Sequence, residues 1–344
     1  MEFNTTLDDD WENFLENGVE SYENENENEI EITNSILEEN GKIPKSTELY
    51  ISTKTKILYM NSDINLIDLF WKLPILDYSE PRNGILKKQM KFNSSKPEEL
   101  EQIQENKKKY KCVSENIIYN SEHVHLRDNS FKDVRKISIG ISKKDIMSYR
   151  SKEKSAFYNC FVMNLRIKNG DNFKEVHVKV FNTGKLEIPG IQCEKFFQEV
   201  KANILETLNP YLDMVLEFDT LREETVLVNS NFHCGYYINR DKLFDILKYK
   251  YNIQASYDPC SYPGIQCKYM KPDKINYISF MIFRTGSVLV VGKCDDIMLN
   301  EVYEYLKKVL IDEYHNIHTK TDANEIKKET KPKKQRKKTI YFSN

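Results

Sequence analysis

The most constraining feature of this chain is an internal duplication. Residues 181–190 (FNTGKLEIPG) return in altered form at residues 283–292 (FRTGSVLVVG), 102 positions further along the chain. The likeness continues into the following segment, where Glu199 matches Glu301 at the same offset. Each copy predicts a strand, a Thr-Gly turn, a second strand and a helix. Two copies are too few for a solenoid, so the sequence predicts one pseudo-symmetric body built from two halves.

The duplication includes the start of each half. Residues 48–59 and 224–234 are rich in β-branched and aromatic residues, which predicts a leading strand in both places. An amphipathic helix follows each strand. The first is predicted to begin near Asp63 with an Asp or Ser cap and to stop at Pro74, and the second to open at Asn239. Each half is therefore predicted to run β-α-β-β-β-β-α.

The remaining elements follow from the same patterns. In the first half they are a strand at 158–167, a hairpin at 174–190 and a helix at 193–208; in the second, strands at about 252–257, 263–270, 275–283 and 287–293 and a helix at 295–313. Residues 84–156 have no counterpart in the second half and are interpreted as an insertion. It contains a charged helix at about 97–111, one strand (Ile85–Phe92) that could belong to the core sheet, and a segment from Val134 to Tyr149 without an assignment.

Alternation along the hairpin strands predicts which side chains face the core. Val176, Val178 and Val180 alternate with polar residues, so the valines are expected to pack on helices. The opposite face is predicted to hold His177, Lys179, Phe181, Thr183 and Lys185 in the first half, and Ser279, Met281, Phe283, Thr285 and Ser287 in the second. Both halves thus place a phenylalanine at the same position of a largely polar face.

Charge is distributed unevenly over the 344 residues, although the net charge is only −2. Residues 1–32 contain twelve Asp and Glu and no Lys or Arg, whereas residues 320–338 contain nine Lys and Arg and three acids. Residues 1–40 are predicted to be a disordered acidic tail. The alternative hypothesis is that this tail mimics DNA and occupies one face of the sheet. The basic C-terminal tail, 316–344, fits a nuclear import signal, a nucleic-acid tether or a solubilising end.

Several classes of protein are disfavoured. Seven cysteines at irregular spacing argue against a disulfide framework and favour a reducing compartment. No apolar run reaches the roughly 18 residues of a membrane span, and no secretion signal opens the chain. The pairs His123/His125 and His315/His318 lack accompanying Cys pairs, so no metal is expected. No phosphate loop or nucleophile motif predicts an enzyme or a cofactor.

The residues around the second hairpin resemble a known family. Residues 257–265 (YDPCSYPGI), the strand that ends in Phe283-x-Thr-Gly and the strand that ends at Gly292 are similar to the second repeat of the TATA-box-binding protein family. Residues 181–190 are similar to its first-repeat hairpin. The resemblance covers about 48–83 and 157–313. The insertion and the divergence resemble the TATA-binding-protein-like proteins of large cytoplasmic DNA viruses.

The resemblance implies an α+β saddle whose curved antiparallel sheet binds the minor groove while helices cover the convex face. In that family, which is a standard example of such wedges, each half drives two phenylalanines between base steps. Phe181 and Phe283 match the hairpin phenylalanine of each repeat, and Tyr262 stands at the second wedge position of the second repeat. Phe157 or Tyr158 is the first-repeat equivalent. Ordinary packing under the insertion or against a partner is the alternative for these rings.

Other candidate DNA contacts follow from the same comparison. The candidates are Lys179, Lys185 and Arg284 for phosphates, Thr183 and Thr285 in the turns, and Asn229 and Asn231 for bases. The family places an asparagine in each leading strand, at positions that here fall on Leu49 or Tyr50 and on Leu227, so Asn229 and Asn231 are near but not aligned. The alternative for Asn229 and Asn231 is a structural role at a turn or at the end of a strand. Further departures are Glu187, which would oppose a phosphate-lined groove, and Pro189, Val291 and Ser287, which replace family threonines and a lysine.

The resemblance implies a transcription initiation factor that binds and bends AT-rich promoter DNA with a TFIIB-like factor and RNA polymerase as partners. Repeat 1 is placed at 41–220 and repeat 2 at 221–315. The expected location is intracellular, in a virus factory or nucleus, or in the virion. The alternatives are a protein-interaction scaffold that has lost DNA binding, and a nucleic-acid enzyme with an accessory domain of this fold.

Overall fold

A computed structural model describes residues 43–120, 131–147, 159–270 and 277–319. The acidic segment, the basic segment 320–338, Phe157 and Tyr158 lie outside the described residues. The chain divides into two compact units. Of the described residues, the first unit contains those within 56–224, and the second contains 43–55 and those within 225–319.

The first unit combines antiparallel strands with helices. In chain order its elements are β1 (Tyr50–Tyr59, divided between the two units after Thr55), α1 (Leu66–Lys72), β2 (Gly84–Ser94), α2 (Pro97–Lys107), β3 (Val113–Asn120), β4 (Asp133–Gly140), α3 (Lys143–Met147), β5 (Cys160–Asn169), β6 (Asn172–Phe181), β7 (Lys185–Ile191) and α4 (Glu194–Leu208). The strands are ordered β3-β4-β2-β5-β6-β7-β1. A short 3-10 helix, Asn209–Tyr211, follows α4.

The second unit repeats the plan with fewer strands. After the first part of β1 it contains β8 (Glu224–His233), α5 (Arg240–Asp245) with a π-helical turn (Ile246–Lys250), β9 (Gln254–Ser256), β10 (Ile265–Met270), β11 (Tyr277–Ile282), β12 (Ser287–Gly292), α6 (Asp296–Asp312) and α7 (Tyr314–Ile317). The strand order is β1-β8-β12-β11-β10-β9. The predicted repeat boundary at 220/221 leaves all of β1 in repeat 1. Residues 50–55 group with the second unit because Ser52 and Thr53 hydrogen-bond to Asn229.

Each unit buries one face of its sheet under helices, as the alternation predicts. In the first unit the buried valines of β6 lie in one apolar core with Phe70 of α1 and Phe197 of α4. In the second unit Phe280 of β11 and Leu306 of α6 share the corresponding core. The prediction that the hairpin valines face inward is confirmed. Ile278, Phe280 and Ile282, which alternate with the predicted open-face residues of β11, also lie in the core.

The start of α1 differs from the prediction. The N-cap is Asn65, whose side-chain oxygen accepts a hydrogen bond from the Asp68 backbone N–H at 3.2 Å. The helix begins later than predicted because the Ile64 backbone N–H donates to the Asn182 carbonyl, which holds this segment against the first hairpin turn. The second helix is capped by Asn239, where its opening was predicted.

The region interpreted as an insertion contains one core strand. β2 pairs with β5 in the first unit, just as β9 pairs with β10 in the second, so the strand suggested at Ile85–Phe92 is confirmed and the insertion begins only after Ser94. The inserted elements are α2, β3, β4 and α3. They extend the sheet, because β4 pairs with the other edge of β2 and β3 pairs with β4.

Candidate nucleic-acid interface

The sheet of each unit has a second side, here called the open face, which is opposite the helix-covered core. In the first unit, Phe161 lies directly opposite Val180 and both belong to the core. Their neighbours Cys160 and Phe181, which are also directly opposite each other, therefore lie on the open face. Phe181 is half-buried and is not part of the helix-side core.

The open face of the second unit carries a separate apolar cluster. Met281, Leu289 and Val291 are its buried members, and Leu227, Tyr262 and Phe283 pack against them. Met281 is 0% exposed, so the cluster is closely packed. Met281 and Phe283 share the face opposite Phe280, as predicted. The prediction that this face is largely polar is wrong for the second unit, because its buried residues there are apolar.

Phe283 and Tyr262 form one ring pair. Their centroids are 6.1 Å apart and the rings are inclined at 61°. Both rings lie over Gly264, because a Cβ atom at that position would stand 3.1 Å from Cε1 of Phe283 and 3.2 Å from Cε1 of Tyr262. The absence of a side chain at Gly264 therefore allows the two rings to pack closely against the backbone just before β10.

The two Thr-Gly turns hold the hairpin phenylalanines in place. Gly184 and Gly286 adopt φ angles of 70° and 90°, a region that favours glycine. Backbone atoms of Ser62 and Tyr236 fill the space that a Cβ would need at these two glycines. Thr183 is exposed and Thr285 is half-buried. Both turns thus depend on glycine for their shape.

A cation accompanies the ring of the first hairpin. Lys185 Nζ lies 5.5 Å from the centroid of Phe181, which is within the range of a cation–π interaction. Arg284, in the second turn, is exposed and lies 5.8 Å from the centroid of Tyr237. Lys185 therefore lies beside a hairpin phenylalanine, whereas the Arg284 guanidinium lies beside Tyr237.

Lys179, a predicted phosphate contact, is buried and paired with an acid. It is only 9% exposed, and its Nζ lies 2.7 Å from Oε1 of Glu187, the residue directly opposite on β7. The sequence predicts that the Glu187 carboxylate would oppose a phosphate-lined groove. The ion pair with Lys179 neutralises this carboxylate within the sheet. The ion pair could not be seen from either residue alone, but the eight-residue spacing across a tight turn is a usable signal for it.

The asparagines of β8 differ from each other. Asn229 is 4% exposed, and its Nδ2 donates to Thr53 Oγ1 at 2.9 Å. Its Oδ1 is buried without a hydrogen-bond donor. Asn231 is half-buried opposite Leu289. Leu227, at the family's asparagine position, belongs to the apolar cluster.

His, Cys, Asp and Glu are the side chains that could hold a metal ion. Within the described ranges, no group of three or more His, Cys, Asp or Glu side chains is placed to hold a metal ion. His318 stacks on Tyr314 with centroids 4.9 Å apart. His123 and His125 lie outside the described residues.

Among the described residues, no helix is both long enough and apolar enough to cross a membrane.

The described elements form an α+β fold with two similar hairpins, and the sequence resembles the TATA-box-binding proteins. A TATA-box-binding protein-like protein of Acanthamoeba polyphaga mimivirus is 25% identical over 201 residues, which covers 51% of this chain and 54% of the relative. The chain thus spans about half the length of this curated relative. The resemblance to this group of viral proteins is confirmed.

Other comparisons add little to that result. Among solved structures, the TBP of Methanococcus jannaschii is 11% identical with a TM-score of 0.39, over 77% of this chain and 99% of that one. No family model matches the sequence.

Proposed function

We propose that the protein is a transcription initiation factor that binds AT-rich promoter DNA in the minor groove and bends it. The observation that carries the proposal is the placement of Phe181 and Phe283 at equivalent hairpin ends, on open faces and outside both helix-side cores. A protein in the minor groove reads width and deformability, because A·T and T·A pairs present similar acceptors there.

An apolar wedge suits this task. Inserting a ring between base steps costs a few kcal/mol of unstacking, which the extra contact with bent DNA offsets. Phe283 is supported by Tyr262 and Gly264, so its ring needs little reordering on binding. The ammonium group of Lys185 lies beside the Phe181 ring. It is suited to bind a phosphate next to the base step that the ring would open.

The electrostatics of the first hairpin favour DNA binding more than the sequence indicates. Glu187 is the residue expected to repel a phosphate, and its pairing with Lys179 removes most of that repulsion. Phosphate contacts are accordingly assigned to Lys185 and Arg284 rather than to Lys179. Asn231 and the Thr183 and Thr285 turns remain candidate groove contacts.

The proposed partners are a TFIIB-like factor and RNA polymerase, bound through the helix side and the turns. Exposed apolar side chains on two helices, Ile67 on α1 and Ile297 on α6, are suited to such contacts. The proposed role requires no cofactor and no catalysis, and places the protein where viral transcription occurs, in the virus factory, the nucleus or the virion.

A second candidate is a scaffold that keeps the fold without binding DNA. Asn229 favours it, because its amide nitrogen is held by Thr53 and is not directed to a base. A scaffold would leave the open faces unused by nucleic acid.

The deciding experiment measures affinity and bend angle on AT-rich and GC-rich duplexes over a range of salt concentrations. The proposed function predicts tighter binding to the AT-rich duplex and a steep loss of affinity with salt.

Phe181→Ala/Phe283→Ala should weaken binding at least tenfold, since stacking is worth roughly 1–3 kcal/mol per ring, and should reduce the bend. Tyr249→Ala, a change at an exposed aromatic on the helix side, is the matched control. A wild-type protein that shows no salt-dependent binding would support the scaffold.

A further inference from the structure

The open face of the first unit carries a carboxylate near the hairpin phenylalanine. Leu186 and Ile188 belong to the helix-side core, so Glu187 between them lies on the open face. Glu187 is directly opposite Lys179, which stands two residues before Phe181 on β6. Phe181 and Glu187 are therefore diagonal neighbours across the strand pair, at roughly 7–8 Å. A ligand that contacts the ring of Phe181 can reach the carboxylate as well.

The two oxygens of this carboxylate have different surroundings. Oε1 accepts a hydrogen bond from Lys179 Nζ at 2.7 Å, which offsets the negative charge. Oε2 accepts no hydrogen bond from any residue that the structure describes. The side chain is 22% exposed, and in the described part of the chain the buried side-chain atoms without a partner are Asn229 Oδ1 and His233 Nε2. Oε2 is thus an accessible acceptor for a ligand that carries a hydrogen-bond donor.

The second unit has an apolar side chain at the equivalent position. Leu289 stands 102 positions after Glu187. It is opposite Met281, and both belong to the apolar cluster of that open face. The two hairpins therefore present a carboxylate oxygen in one case and methyl groups in the other.

The minor groove of DNA distinguishes these two surfaces. A·T and T·A pairs present only acceptors there, adenine N3 and thymine O2, whereas a G·C pair adds one donor, the 2-amino group of guanine. Against an A·T pair, Oε2 of Glu187 would face an acceptor and lose its water without gaining a partner, which is unfavourable. Against a G·C pair, it would accept a charge-assisted hydrogen bond.

We propose that Glu187 selects a G·C pair next to the base step that Phe181 opens, by accepting a hydrogen bond from the 2-amino group of guanine. The inference rests on the proposed function, because it adds a base contact to the same interface. The recognised site is then an AT-rich duplex with one G·C pair at a fixed position. Leu289 offers no acceptor to that amino group, so the selection is made by the first unit.

The test measures the affinity of the full chain for a series of AT-rich duplexes, each with one A·T pair replaced by G·C. At one position the replacement should tighten binding about tenfold, as expected for a single hydrogen bond to a charged group. Two modified bases isolate the amino group in the wild-type protein. Inosine, which is guanine without the 2-amino group, should lose the gain, and 2,6-diaminopurine opposite thymine, which adds that group to an A·T pair, should reproduce it.

Lys179→Met/Glu187→Leu gives the first hairpin the side chains that the second has at Met281 and Leu289. This variant should bind the unmodified AT-rich duplex at least as tightly as the wild type, but it should lose the preference for the amino group. The matched control is Glu304→Leu/Lys307→Met, which removes an ion pair from α6 on the helix side and should keep the preference. Thermal unfolding checks that both variants are folded.

Two results would overturn the inference and leave the proposed function standing. One is a wild-type protein that binds guanine and inosine duplexes equally at every position. The other is a preference for the amino group that survives in Lys179→Met/Glu187→Leu. A wild-type protein that binds none of the AT-rich duplexes would overturn both the inference and the proposed function.

Discussion

The two hairpins share a backbone plan but differ in the chemistry of their open faces. In the first, Lys179 is opposite Glu187, and in the second, 102 positions later, Met281 is opposite Leu289. One pair is ionic and the other belongs to an apolar cluster. The difference shows that duplication preserved the strands and turns, while the side chains of the open faces diverged.

The first helix of each unit also ends differently. At the end of α1, Lys88 of β2 is fully buried and donates hydrogen bonds to the carbonyls of Phe70 and Leu73, at 2.5 and 2.6 Å. In the second unit α5 continues into a π-helical turn, and Lys250 pairs at its exposed end with Glu313. The first unit therefore has a fully buried lysine at this helix end, whereas the lysine at the helix end of the second unit is exposed.

The largest expected effect concerns Lys88. Burial lowers its pKa to about 7, well below the value of an unfolded lysine. The unfolded chain consequently binds one more proton between about pH 7 and 10.5, so the contribution of Lys88 to stability should rise with pH across that window. At 1.36 kcal/mol per pKa unit the upper bound is roughly 5 kcal/mol.

The measurement is the free energy of unfolding against pH for the wild type and for Lys88→Met. Buried cysteines such as Cys267, whose pKa burial raises, oppose the trend, so the difference between the two proteins isolates Lys88. The free energy of unfolding of the wild type minus that of Lys88→Met should increase from pH 7 to 10. A difference that stays constant with pH would show that burial does not lower the pKa of Lys88.

A smaller effect is expected from making the first hairpin like the second. Lys179→Met alone removes the cation that neutralises Glu187, whose side chain is 22% exposed, and should cost roughly 1–3 kcal/mol. Lys179→Met/Glu187→Leu should unfold within about 1 kcal/mol of the wild type, or be more stable, because apolar pairs often replace buried ion pairs without loss. Chemical denaturation of both variants and of Glu187→Leu measures the coupling.

The same variants test the original prediction for Lys179. If Lys179 contacted a phosphate, the double variant would lower the salt slope of DNA binding by about 1. An unchanged slope is expected, because the ammonium is held by Glu187.

The repeated part of the fold could be predicted because its signals are local. Alternating valines in β6 and apolar helix faces place the core without knowledge of any partner. The edges of the first unit could not be assigned in the same way. β2 contains Lys88, which only a distant helix end makes acceptable in a core, and β4 contains Arg135, which Asp133 and Glu115 neutralise. Charged residues inside these strands interrupt the alternation of apolar and polar side chains by which a strand is predicted.

The sequence could predict the face of the sheet on which Phe181 and Phe283 lie, because the alternation along each hairpin strand is a local signal. Their role as a binding site stays a prediction, and the contacts around the site were not indicated by the sequence. The partner of Asn229 is Thr53, 176 residues away, and no local pattern indicates that contact.

The smallest expected effect concerns how the two phenylalanines are supported. Phe181 is opposite Cys160, a residue with a side chain, whereas Phe283 and Tyr262 lie over Gly264. Gly264→Ala would bring a Cβ to within 3.1 to 3.3 Å of both rings, so the rings must shift. We expect a loss of stability of about 1 kcal/mol from this overpacking, together with a smaller DNA bend.

The control is Gly292→Ala in the same unit. A Cβ at Gly292 would meet Ile278 at 3.5 Å, an ordinary contact, so stability should change by less than about 1 kcal/mol. Calorimetry and a fluorescence measurement of bend angle distinguish the two glycines. Should Gly264→Ala bend DNA like Gly292→Ala, the ring pair would not depend on this close contact. Support for Phe283 would then come from the Met281 cluster alone, and the two hairpins would differ in their surfaces but not in how they hold a wedge.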